Sequence, residues 1–106
     1  MLSLSYFITM LIIGILIILL GYLIGFKGKI QLIHSYHYKN VKDKDKKAYT
    51  RIMGFGTGVI GAFITIGAFL YLGFGTAGAS SAILPGLILG FGIIVYAQYK
   101  YNGGIF

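Results

Sequence analysis

IMGFGTGVIGAFITIGAFLYLGFGTAGASSAILPGLILGFGIIVYAQY, residues 52–99, runs for 48 residues without a charged side chain. As one helix it would extend about 72 Å, more than twice the roughly 30 Å hydrocarbon thickness of a bilayer. The stretch therefore has to turn back on itself. The turn is expected at Gly73-Phe74-Gly75-Thr76-Ala77-Gly78-Ala79-Ser80, where glycine lowers helix preference and Ser80 or Ser81 can cap the next helix. Pro85, the only proline, would then fall in or just past the first turn, where its missing N–H costs least. This reading predicts two spans near 52–72 and 81–99.

Upstream, Leu2 to Phe26 is a second uncharged stretch of 25 residues. Its Leu- and Ile-rich part, 6–26, is long enough for one crossing. It opens uncharged and lacks a small-residue cleavage site before Lys27, so it reads as a span kept in the mature protein and not as a signal peptide. The expected fold is all-α and integral to the membrane: a single domain over 1–106, with three transmembrane helices in a small glycine-rich bundle. Hydrophobic residues make up 58% of the chain and charged residues 10%, too few to clothe a soluble globule of this length.

Between the two uncharged stretches, residues 27–51 hold eight of the nine basic residues and both acids, Asp43 and Asp45. Lys and Arg are retained on the cytoplasmic side of short loops. The loop is therefore expected inside, with the N-terminus and the 73–80 turn outside, and Lys100 and the C-terminus inside. Tyr6 and Phe7, Tyr22 and Phe26, and Tyr96, Tyr99 and Tyr101 stand where interfacial aromatic belts are expected. The net charge of +7 lies against membrane spans, so anionic lipid headgroups are its expected partner, and nucleic acid is not. Lys27, Lys29, Lys39, Lys42, Lys44, Lys46, Lys47 and Arg51 are the candidate headgroup-binding residues.

Seventeen glycines supply the other pattern. Gly54, Gly58, Gly61, Thr65 and Ala68 step by 4, 3, 4 and 3, which puts them on one helix face, with Ile60 off it. Ala82, Gly86 and Gly90 repeat the spacing, and Gly14, Gly21 and Gly25 offer a counterpart on the first span. In lipid, small residues promote helix association by allowing close backbone approach. Gly54, Gly58, Gly61, Gly86 and Gly90 are the candidate helix-packing residues. Packing within one bundle, assembly of a homo-oligomer or pore, and contact with a larger membrane partner all remain open uses.

Chemistry is harder to find. His34 and His37 lie three apart, but two ligands beside a lysine run make no metal site. These histidines, with the loop tyrosines, are expected to line the headgroup layer. Cysteine is absent, and no Asp, Glu, Lys, Arg or His lies within the expected spans, where proton relays and ion pathways display them. No catalytic residue, cofactor or enzymatic activity is expected.

Gly21-Tyr22-Leu23-Ile24, then Lys27, Ile33, Tyr36, Asn40, Asp43, Lys46, Lys47, Tyr49 and Gly54 resemble the DUF3784 family of small bacterial membrane proteins of unknown function. Over about 12–72 the chain follows that family's order: an apolar span, a basic stretch, a Gly-Tyr-Asn type element, a Lys-Glu-Glu-Lys-x-x-Tyr type helix start and a glycine in the next span. Here Ser35 stands before Tyr36 in place of glycine, and the acidic pair is Asp43 and Asp45 among lysines. In layout the family is similar to part of the SdpI-type immunity proteins, which protect a producing cell from its own membrane-active toxin. The glycine faces and the absence of charge within the spans lead to the expected function, an accessory or immunity-like membrane protein, not an enzyme, that works by helix contacts with a membrane protein or membrane-active peptide. A holin-like pore former and a small subunit of a transporter or respiratory complex are the alternatives.

Overall fold

The computed structural model describes residues 3–28 and 41–103. Among these the architecture is entirely helical. Helix α1 spans Leu4–Gly25, and α2 spans Lys46–Asn102 after a 3-10 turn at Asp43–Asp45. Both are long and apolar enough to cross a membrane. Ser3 caps α1 by accepting a hydrogen bond from the Tyr6 N–H at 3.2 Å. At the far end, Gly103 closes α2 in the left-handed conformation with its N–H on the Gln98 carbonyl.

Helix α2 is not one rod. Gly75, at φ 70° and ψ −155°, is its single non-helical residue and divides it into arms 46–74 and 76–102. A straight helix of 57 residues would measure about 85 Å, yet the longest dimension of the molecule is 51 Å. The arms lie antiparallel: Tyr49 meets Gln98, Ile60 meets Gly90, Phe63 meets Gly86, and Gly67 meets Ala79 and Ile83. Helix α1 packs antiparallel on the first arm, pairing Gly21 with Gly54 and Gly58, Gly14 with Gly61 and Thr65, and Tyr6 with Tyr71. The first arm is thus the central element, covered on two sides.

Large buried side chains gather at the two ends of this stack. Met10, Ala68, Tyr71 and Ala79 pack at the turn end; Ile24, Val41, Tyr49, Met53 and Ala97 pack at the opposite, basic end. Between them the contacts rest largely on glycine: backbone meets backbone where α1 crosses the first arm at Gly21, Gly54 and Gly61, and between the arms Gly56, Gly67, Gly86 and Gly90 receive the side chains of Ile94, Ile83, Phe63 and Ile60.

Three local expectations are corrected. The eight-residue turn at 73–80 shrinks to Gly75, because a single positive-φ residue suffices to reverse the chain. Helix therefore resumes at 76, so neither Ser80 nor Ser81 caps it; the Ser81 hydroxyl instead donates to the Gly78 carbonyl at 2.7 Å. Pro85, expected near a first turn, sits inside the second arm, on its exposed side. At the other end α2 begins at Lys46, within the basic stretch, in keeping with the helix start that the resemblance implies there.

Candidate functional site

The basic end is where both uncharged stretches begin or finish, and it collects the polar side chains the helices bury. Tyr49 is fully buried in the core cluster of this end, and its hydroxyl donates to Gln98 Oε1 at 3.2 Å. The tyrosine precedes the uncharged stretch and had been expected among the headgroups. It turns inward because 46–51 continue the helix, which puts Tyr49 one turn from Met53 on the face toward Ala97. Thr50, Gln98 and Asn102 are buried beside it, with the Thr50 hydroxyl on the Lys47 carbonyl at 3.1 Å. Among the described residues no buried side-chain nitrogen or oxygen lacks a partner.

The candidate packing glycines divide by what an added methyl would meet. At Gly54 it would overlap the Gly25 backbone and come within 2.6 Å of the Gly21 carbonyl oxygen; at Gly61 it would stand 2.6 Å from the Ile18 nitrogen and 2.8 Å from the Gly14 oxygen. These two positions seat α1. Gly86 and Gly90 seat the arms against each other, since a methyl would run into Phe63 at the first and Ile60 at the second. Gly58 is different. Its backbone touches Gly21, whose own added methyl would stand 2.7 Å from the Gly58 nitrogen, but a methyl on Gly58 would meet nothing within 4 Å.

That open direction leads into a groove. It lies between α1 and the first arm, has a volume of about 690 Å³, and is walled by apolar groups of Ile18, Tyr22, Phe55, Val59 and Ala62. A second hollow of about 500 Å³ adjoins it at the basic end and shares Gly25, Phe26 and Arg51. Lys27, Lys46, Lys47 and Arg51 line this hollow with one carboxylate, Asp43, which pairs with Lys46 at 2.9 Å. Lys27, Lys47 and Arg51 are exposed, as are Lys42 and Lys44. The structure thus brings four of the eight candidate basic residues to one hollow. Lys42 and Lys44 stand on the approach to α2, and Lys29, Lys39, His34 and His37 lie outside the described residues.

Sequence reading found one of the two faces of the central arm. It missed Gly56, Ile60, Phe63 and Gly67, which meet the second arm. Their steps of 4, 3 and 4 carried the same signal as the Gly54 row. Ile60, set aside as off the packing face, is buried. The hydrogen-bonded Tyr49–Gln98 pair left no local signal, since its members are 49 residues apart.

A family model described as a domain of unknown function, DUF3784, matches residues 11–101. The match reaches well past the 12–72 stretch that carries the sequence resemblance and takes in both arms of α2. No curated protein and no solved structure matches the chain.

Proposed function

We propose that this chain, which belongs to the DUF3784 family, is a multi-pass membrane protein that acts by helix–helix contact with a membrane protein or membrane-active peptide. The role is accessory or immunity-like and not enzymatic. In this reading α1 and the two arms of α2 each cross the bilayer. The N-terminus and the Gly75 turn lie outside; the basic end and the C-terminus lie inside, where the lysines and Arg51 meet anionic headgroups.

The observation that supports contact over conduction is how the interior is used. Where α1 crosses the first arm, a methyl added to Gly54 or Gly61 would overlap the opposing backbone, and the hydroxyls of Thr57 and Thr65 fold back onto the Met53 and Gly61 carbonyls at 2.8 and 2.9 Å. A pore needs a wettable lumen; hydroxyls that donate to their own helix have no proton left for water and line one poorly. Expressed alone in a bacterial host, the protein is expected to leave membrane potential and growth unchanged. Rapid depolarisation with lysis at modest expression would replace this reading with the holin-like one.

A further inference from the structure

We infer that the groove beside Gly58 and the basic hollow adjoining it form one binding site for a single anionic phospholipid. The inference rests on the reading that the chain spans the bilayer with its basic end at a headgroup layer. Its two halves match the two halves of such a lipid. The groove is apolar and, at about 690 Å³, falls within the roughly 300–1,000 Å³ typical of small-molecule sites. The glycine at its floor withholds a side chain from open space, and the Ile18, Val59 and Ala62 walls suit an acyl chain. At its mouth the hollow sets four cations against one carboxylate, a local excess of positive charge suited to a phosphodiester. Arg51 lines both and marks the junction of chain and headgroup.

Charge complementarity selects this occupant. A second copy would bring the same basic residues to its own mouth, and an apolar helix alone would leave Lys27, Lys47 and Arg51 unanswered, since Asp43 pairs with Lys46. An anionic lipid answers both surfaces. A zwitterionic lipid offers the same chains with less net charge, so the site should prefer phosphatidylglycerol over phosphatidylcholine of identical chains.

Native mass spectrometry of the full chain in detergent, titrated with each of these lipids, reads the occupant directly. One phosphatidylglycerol per chain is expected, held about 100-fold more tightly than phosphatidylcholine, at about fivefold for each of the cations Lys27, Lys47 and Arg51 that Asp43 does not pair. Replacing Lys47 and Arg51 together by Gln should weaken phosphatidylglycerol about 25-fold, at about fivefold for each charge near a lipid surface, and leave phosphatidylcholine nearly unchanged. Gly58→Leu, which fills the groove, should weaken both lipids while helicity is retained. If that variant fails to fold, the charge variant decides alone. Equal retention of the two lipids, no lipid adduct, a doubled protein mass in place of the adduct, or phosphatidylglycerol binding indifferent to the charge variant would each overturn the site. Because these readouts use purified protein, their failure leaves the crossing arrangement to be judged by labelling in intact cells.

Discussion

Glycines of one row do not carry equal weight, and the direction of the absent Cβ decides which matter. Gly54 faces the backbone of Gly21 and Gly25 across the α1 contact, whereas Gly58, one turn on, faces the open groove. Gly54→Ala must push α1 away from the central arm, and overpacking of this kind costs about 1–3 kcal/mol. Gly58→Ala adds a methyl to empty space and gains about 0.5–1 kcal/mol of helix preference. A thermal melt in detergent should show the first variant falling and the second equal to or slightly above the parent. Equal losses would mean that the groove is filled by protein.

At the scale of elements, the long apolar α2 becomes two arms through one residue. Gly75 holds φ 70° with ψ −155°, a combination essentially reserved for glycine. Gly75→Ala should destabilise the hairpin by about 1–3 kcal/mol, the usual cost of holding an L side chain in a sparsely populated region. Gly73, two residues earlier, is helical and has open space where a Cβ would go. Gly73→Ala is therefore expected to be neutral or mildly stabilising. Melting the two variants side by side separates the conformational demand from a general intolerance of bulk at the turn, which would lower both.

For the whole molecule, the placement of charge predicts the threading. Eight of nine basic residues lie in 27–51 and the ninth is Lys100; in the structure Lys46, Lys47 and Arg51 share one end with Asn102. Single cysteines at Lys44 and Thr76, both exposed, should react differently with an impermeant thiol reagent applied to intact cells. Thr76→Cys is expected to label and Lys44→Cys to label only after the membrane is opened. External labelling of Lys44→Cys would invert the arrangement.

Much of this was readable along the chain, for a physical reason that operates locally. Bilayer thickness limits how far apolar helix can run, so 48 uncharged residues already demanded a reversal, and period 3.6 already put Gly54, Gly61 and Thr65 on one face. The family resemblance rested on similarly local features, the order of span, basic stretch and glycine. What the sequence by itself left undecided depends on atoms distant in the chain. Ser80, Ser81 and Pro85 looked like the start of a helix because cap preferences are local, but one left-handed glycine moved the start upstream of all three. Tyr49 looked interfacial until Gln98, on the returning arm, came within hydrogen-bonding distance. Gly58 belongs to its row by spacing, yet only the position of α1 shows its Cβ direction to be open. Periodicity names the face a residue lies on; what stands opposite that face is set by how the helices pack.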